Sequence, residues 1–149
     1  MWFTDESQTE RGTGMGIHGD RPRANISFSL GQHSTVFQAE MLVITTCAQE
    51  NLRRGYRNKH IYIRRDTQAA LGALSADRFR STTALDCRRA LDILGEYNRV
   101  SLIWVPAHCG IEGNERADKL VREGSESTFV GPEPTLGIAL SVVRAKIKN

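Results

Sequence analysis

An almost continuously apolar, β-rich run at residues 100–105 constrains the fold of this chain more than any other segment. A strand that is apolar on both faces needs a covering layer on each side, as the central strands of parallel sheets have. After this run comes a glycine-bearing loop, and then an amphipathic segment at residues 114–123 that Gly124 is expected to end. The sequence therefore predicts a buried central strand, a loop and a helix within a layered α/β domain.

Strand patterns occur at three further places. Residues 12–16 are rich in glycine and allow a tight backbone, and residues 25–30 alternate polar and apolar side chains as a half-buried antiparallel strand does. Residues 60–64 are rich in β-formers, and the run stops at Asp66. A short first strand precedes Asp5. These patterns indicate an antiparallel hairpin region joined to parallel strands.

Helical spacing begins at Ser34 or Thr35, and this helix is expected to end near Arg54. A second helix is predicted from about residue 82 to residue 94. The order of elements predicts an α/β fold with a five-stranded mixed sheet flanked by helices. We expect one domain at residues 1–125, followed at 126–149 by a tail that is partly ordered or forms a short amphipathic helix.

Bulk properties exclude several classes of protein. No apolar run approaches the roughly 18 residues that would span a bilayer. The start of the chain has no basic leader followed by an apolar core, and the 3 cysteines are odd in number and widely spread. We therefore expect an intracellular protein with free thiols, in the cytoplasm, the nucleus or both, and no membrane partner.

Basic residues are clustered, although the net charge is only +3. Such clusters suit a polyanion such as nucleic acid, and solvated helix faces explain them about equally well. The clustered residues are Arg53, Arg54, Arg57, Lys59, Arg64 and Arg65, then Arg78, Arg80, Arg88 and Arg89, and finally Arg144, Lys146 and Lys148.

Four acids lie either at the end of an apolar run or inside an amphipathic segment. A histidine lies in the loop before the last of these acids. Each acid alone could be a turn residue or a surface charge, but Glu40 is surrounded by apolar residues, and buried acids are rarely left unpaired. Carboxylates on separate elements are suitable ligands for two Mg²⁺ ions about 4 Å apart, which promote phosphodiester hydrolysis. The histidine could transfer protons. The five residues are Asp5, Glu40, Asp66, His108 and Asp118.

Zinc is disfavoured because no histidine pairs with a second histidine or cysteine at ligand spacing, apart from the adjacent His108 and Cys109.

Four segments in this order resemble type 1 ribonuclease H. The resemblance spans about residues 3–124 and is most specific in the last segment. The chain is similar in particular to the domain that follows the reverse transcriptase in insect non-LTR retrotransposons. The segments are Thr4-Asp5-x-Ser7, Gln38-Ala39-Glu40, Asp66-Thr67-Gln68-Ala69-Ala70-Leu71 and His108-Cys109-Gly110-Ile111-Glu112-Gly113-Asn114-Glu115-Arg116-Ala117-Asp118.

The resemblance implies a ribonuclease H-like fold and an endonuclease that cuts the RNA strand of RNA/DNA hybrids, leaving 5′-phosphate and 3′-hydroxyl ends. It implies that the four acids bind two Mg²⁺ ions, which Mn²⁺ can replace, and that His108 serves proton transfer and product release. The implied partner is the reverse transcriptase domain of the same retrotransposon polyprotein. Substrate contacts are expected at Ser7, Gly12, Gln38 and Asn114.

Four positions depart from the family pattern. Glu6 replaces the usual glycine after the first acid and adds a negative charge beside the predicted metal site, and Arg65 replaces a small residue before Asp66. Ala107 replaces a glycine, and Lys119 stands where many members have an acid. These changes leave open an alternative, a catalytically impaired nucleic-acid-binding domain of the same fold, whereas the retention of all four acids and His108 favours the enzyme.

A DNA-cutting transposase or resolvase relative is a third possibility. The segment at residues 108–118 argues against it.

Overall fold

The computed structural model describes residues 1–65, 82–105 and 112–126 of the chain. These residues contain five strands and three helices. The strands are β1 (Trp2–Thr9), β2 (Gly12–Gly19), β3 (Ala24–Ser29), β4 (His60–Arg65) and β5 (Arg99–Trp104). The helices are α1 (Val36–Arg53), α2 (Thr82–Tyr97) and α3 (Glu112–Glu126). Almost all of the predicted tail lies outside the described residues.

The strands form one mixed sheet in the order β3-β2-β1-β4-β5. β1 and β3 each pair with β2 in antiparallel fashion, whereas β4 pairs in parallel with β1 and with β5. This arrangement confirms the predicted five-stranded sheet, in which a hairpin region is joined to parallel strands.

The prediction that residues 100–105 form a central strand was wrong. β5 lies at the edge of the described sheet, where it pairs with β4, and residues 101–103 are only partly buried. Val100 and Leu102 pack at the margin of the core. The apolar character of a strand depends on the layers above and below it, whereas a central position depends on its hydrogen-bonded neighbours. The sequence pattern therefore indicates whether layers cover the strand, but it does not indicate the position of the strand within the sheet.

The predicted bounds of two elements, the first strand and the last helix, were also wrong. β1 continues to Thr9, so Asp5 lies within the strand and not at its end. Helix α3 begins at Glu112 and runs past Gly124 to Glu126. A glycine inside a helix costs only about 1 kcal/mol relative to alanine, and the packing of α3 on the sheet outweighs that.

Helix α1 begins and ends as predicted. Thr35 is the N-cap: its Oγ1 accepts a hydrogen bond from the backbone N–H of Gln38, and Gln38 Oε1 accepts one from the backbone N–H of Thr35. This reciprocal capping box satisfies two donors that the first turn would otherwise leave open. Arg54 is the C-cap, and Gly55 follows with a φ of 69°.

Helices cover both faces of the sheet. Trp2 of β1 donates a hydrogen bond from Nε1 to Oδ1 of Asn51, and this bond ties the strand to α1. Helix α2 packs against α1, and α3 packs on β2, β1 and β3. Cys47 and Cys87 lie in the core between the sheet and the first two helices, as buried free thiols.

None of the described helices is long and apolar enough to cross a membrane.

We predict that acid weakens the fold partly through Glu50. Hydrogen bonds from Arg53, together with those from Arg54, lower the pKa of Glu50 from 4.5 to about 2. Because the pKa is depressed in the folded state, the contribution of Glu50 to stability is complete above pH 4.5 and is lost as the pH falls towards about 2. Glu50→Gln should therefore flatten the fall in melting temperature between these pH values. The effect should be small, since the pair lies at the surface.

Melting curves of both proteins from pH 2 to pH 7 test this expectation. Parallel pH profiles would contradict it.

Candidate active site

The strands β1 and β4 part where the predicted site begins. Trp2 pairs with Ile63 and Phe3 pairs with Arg64, and among the described residues the pairing of these strands stops there. β4 nevertheless continues to pair with β5 as far as Arg65. In the described part of the chain, β1 therefore has no partner on this side beyond Phe3, and the carboxyl end of β4 is the kind of place where ligands bind in open α/β sheets.

Three of the five predicted catalytic residues lie in the described part of the chain. Asp5 on β1 and Asp118 on α3 are half-buried, and Glu40 on α1 is 3% exposed. Asp66, which follows β4 in sequence, and His108 lie outside the described residues. Within ranges 1–65, 82–105 and 112–126, no three histidine, cysteine, aspartate or glutamate side chains are placed to hold one metal ion.

A close approach of two backbones brings α3 to Asp5. Gly16 pairs directly with Asp5 across β1 and β2, so the two positions share one face of the sheet. A Cβ atom on Gly16 would lie 2.6 Å from the carbonyl oxygen of Ala117 and 2.7 Å from the backbone nitrogen of Val121. Only glycine lets α3 lie this close to β2. Asp118, which follows Ala117, is thereby placed on the face that carries Asp5.

Electrostatics supports the proximity of these two acids. Asp118 accepts a short hydrogen bond from Arg122, one turn later in α3. This bond and the charge of Asp118 raise the pKa of Arg122, and Asp5 adds to the rise. Asp5 itself accepts a hydrogen bond on Oδ1 from the backbone N–H of Glu6, at 3.0 Å. The carboxylates of Asp5 and Asp118 therefore act on the same cation.

Glu40 is bound by an arginine that the sequence pattern did not identify as part of the site. Arg65 Nη2 donates to Glu40 Oε1 at 2.7 Å and to both carboxylate oxygens of Glu6 at 3.2 and 3.1 Å. Arg65 is 1% exposed, so its place in a basic cluster facing nucleic acid was a wrong prediction. Two of the departures from the family pattern, Glu6 and Arg65, are thus partners of one another.

Burial explains why these partners are needed. Desolvation raises the pKa of Glu6 to about 8; Arg65 opposes the rise, and Glu40 and Asp5 add to it. Removing one partner of a buried ion pair typically destabilises a protein by about 3–5 kcal/mol, because a charge is left buried without compensation. The carboxyl group that Glu6 was expected to add beside the metal site instead contacts Arg65.

Neighbouring acids on β1 point to opposite faces of the sheet. Successive side chains of a strand alternate between faces. Trp2 and Glu6 contact α1 or the acid it carries, whereas Phe3 packs against Gly113 of α3. By this alternation Asp5 shares the face of Phe3. Asp5 and Asp118 therefore lie on one face of the sheet, and Glu6 lies on the other face with Glu40.

The predicted substrate contacts are partly described. A Cβ atom on Gly12 would lie 3.0 Å from the carbonyl oxygen of Gly31, at a φ of 144°, so this position requires glycine. Gln38 is buried and forms the capping box of α1, a structural role that the Thr35-x-x-Gln38 spacing could have revealed. Ser7 lies on β1 and Asn114 on α3, and the structure does not describe their side chains.

The loop after β3 connects two of these positions. Gln8 and Thr13 both donate side-chain hydrogen bonds to the carbonyl oxygen of Ser34, at 3.2 and 3.0 Å. The loop thus runs from the end of the β1–β2 hairpin, beside Gly12, to the first turn of α1, which holds Gln38.

Comparisons with known proteins agree with this architecture. The model of the RNase H family matches residues 1–126, and the chain belongs to this family. The structure resembles RNase H1 from the halophilic archaeon Halobacterium salinarum NRC-1, with a TM-score of 0.61 and 21% sequence identity over 83% of this chain and 94% of that chain. The family membership and the fold predicted from the sequence are confirmed. The particular likeness to retrotransposon domains stays a prediction.

We predict that Gly16→Ala disrupts the contact between β2 and α3. The added methyl group would meet backbone atoms of α3 at 2.6 to 2.7 Å, and backbone cannot move aside as a flexible side chain can. Overpacking of this kind destabilises by about 1–3 kcal/mol. Urea unfolding monitored by circular dichroism measures the change.

The matched control is Gly95→Ala in α2, where no atom lies within 4 Å of the added Cβ. This variant should be neutral or stabilised by up to about 1 kcal/mol. Equal stability of the two variants would show that α3 does not rest on Gly16.

Proposed function

We propose that this chain is a metal-dependent endonuclease that hydrolyses the RNA strand of RNA/DNA hybrids and leaves 5′-phosphate and 3′-hydroxyl ends. Membership of the RNase H family carries the proposal. The position of Asp118 on the face of the sheet that carries Asp5 supports it.

The residues present fit Mg²⁺. The proposed ligands Asp5, Glu40, Asp66 and Asp118 offer carboxylate oxygens alone, the donor type that Mg²⁺ prefers. Asp5 and Asp118 are half-buried and thus accessible to an ion from solvent. The Arg122 side chain that binds Asp118 is 68% exposed, and exposed pairs of this kind are worth little, so a cation can displace it.

Two Mg²⁺ ions, or Mn²⁺ in their place, would neutralise charge on the scissile phosphate and provide hydroxide near neutral pH. In the proposed mechanism the four acids hold the ions, and Glu40 is held in turn by Arg65. His108 transfers a proton to or from the reacting groups and assists product release.

Recognition of the hybrid would use the minor groove. Proteins distinguish RNA from DNA there through contacts to the ribose 2′-hydroxyl groups. We assign such contacts to Ser7, Gly12, Gln38 and Asn114. Gly12 can contribute only backbone atoms, which suits a contact to the sugar and not to the base.

The cellular context we propose follows from the resemblance in sequence. The chain would act beside the reverse transcriptase domain of a retrotransposon polyprotein, in the cytoplasm, the nucleus or both.

A second candidate function is a catalytically impaired domain that binds nucleic acid. The contact between Arg65 and Glu40 favours it, because a buried guanidinium already occupies one oxygen of a proposed metal ligand. The two candidates differ in turnover and not in fold.

We predict that the chain cuts a labelled RNA/DNA hybrid in Mg²⁺ and leaves double-stranded RNA and duplex DNA intact. Asp66→Asn should reduce cleavage to the level seen without enzyme, because it removes a charged metal ligand while keeping the size of the side chain. Gel electrophoresis of the end-labelled strand measures the rate.

Asp92→Asn is the matched control, since Asp92 is exposed on α2 and pairs with Arg88 there. A hybrid left uncut by the parent chain would favour the impaired domain. Equal cleavage by Asp66→Asn and the parent would remove Asp66 from the site.

We predict that His108→Ala slows cleavage by about 10² to 10⁴, the usual contribution of a positioned acid or base. Binding of Mg²⁺ should be retained, because an imidazole is not among the proposed ligands. Single-turnover rates and metal titrations separate the two effects. His60→Ala, which changes an exposed histidine of β4, serves as the control and should keep the parent rate. An unchanged rate in His108→Ala would exclude a role in proton transfer.

A further inference from the structure

Arg65 lies in the interior of the domain between two acids from different elements. Its Nη2 atom binds Glu6 of β1 and Glu40 of α1, at distances from 2.7 to 3.2 Å. The three side chains are 1 to 4% exposed. We refer to them as the Glu6–Arg65–Glu40 cluster. It joins β1, α1 and β4 through one of the proposed metal ligands, Glu40.

The cluster differs from the other arginine contact of the site. The side chain of Arg122, which binds Asp118, is 68% exposed and can rotate into water when a cation arrives. The side chain of Arg65 is 1% exposed and is enclosed by the sheet and α1, so it cannot leave in the same way. Any cation that binds Glu40 must therefore do so with Arg65 still in place.

We propose that Arg65 is a positioning residue for Glu40, and that Glu6, by sharing the guanidinium, sets how strongly Arg65 competes with a divalent cation for Glu40. This inference rests on the proposed function, in which Glu40 is a metal ligand. Glu6 and Arg65 lie outside the set of acids that the family resemblance assigns to the metals.

One nitrogen atom of Arg65, Nη2, divides its hydrogen bonds between two acids. In the described part of the chain, Nη2 of Arg65 donates to both carboxylate oxygens of Glu6 and to Oε1 of Glu40. A guanidinium beside Glu40 makes the local potential less attractive to a cation, and acceptor oxygens on its other side counteract this. Without Glu6, Arg65 would bind Glu40 more strongly and oppose the ion. Without both residues, Glu40 would again be accessible to the ion.

A double-mutant cycle on metal binding tests the proposal. Mg²⁺ alone is titrated by calorimetry into the 149-residue chain, without nucleic acid, for the parent, Glu6→Ala, Arg65→Met and the double variant. Methionine fills much of the space of the arginine without its charge. Glu6→Ala should weaken Mg²⁺ binding about tenfold, and the double variant should return to within about threefold of the parent. A purely structural role for Arg65 would not produce this rescue.

Glu50→Ala is the matched control, because it removes an acid from the same helix as Glu40 but away from the cluster. The proposal is overturned if Glu6→Ala binds Mg²⁺ as tightly as Glu50→Ala does, or if the double variant binds as weakly as Glu6→Ala. If the variants that lack Arg65 do not fold, the Mg²⁺ affinities of Glu6→Ala and Glu50→Ala are compared, and equal affinities overturn the proposal.

Glu40→Gln separates this inference from the proposed function. Unchanged Mg²⁺ binding in Glu40→Gln would remove Glu40 from the ligands, and both proposals would lose their basis. Weakened binding in Glu40→Gln together with unchanged binding in Glu6→Ala would overturn the role of the cluster alone.

Discussion

The site depends on the point where β1 stops pairing with β4. Up to Phe3 and Arg64 the two strands pair, and within residues 1–65, 82–105 and 112–126 no strand pairs with that side of β1 beyond Phe3. A continuous sheet would separate the side chains of its two faces. Beside this point α1 carries Glu40 on one face of the sheet and α3 carries Asp118 on the other. The antiparallel pairing of β1 with β2 continues to Thr9 and keeps Asp5 rigid.

Helices α3 and α1 are held against the two faces of the sheet by different interactions. On the face of α3 the interaction is steric, because the backbone of the helix lies against Gly16 with no side chain between them. On the face of α1 the interaction is electrostatic, because the Glu6–Arg65–Glu40 cluster connects strand and helix through charges buried away from water. Steric contact fixes the distance of an element from the sheet, while a buried ion pair fixes the direction of a side chain.

The fold could be predicted from the sequence because hydrophobic periodicity and capping signals are local. The helix from Val36 to Arg53 follows from such signals, as does the hairpin region. The edge position of β5 could not be predicted, since neighbours in a sheet are chosen by tertiary pairing. Glu40 was recognised as an acid with a special partner, but the partner, Arg65, is 25 residues away and was assigned to the surface because it stands among other arginines.

The Glu6–Arg65–Glu40 cluster also limits the order in which such a sequence can arise. For a chain that begins with small residues at positions 6 and 65, acquiring Arg65 first gives the new cation an existing buried acid, Glu40, as its partner. Acquiring Glu6 first puts a second carboxylate in the interior with no cation to balance it. The first path gives each buried charge a partner as it is added, and the second does not. The two positions are therefore coupled, so that a substitution at one of them changes the effect of a substitution at the other.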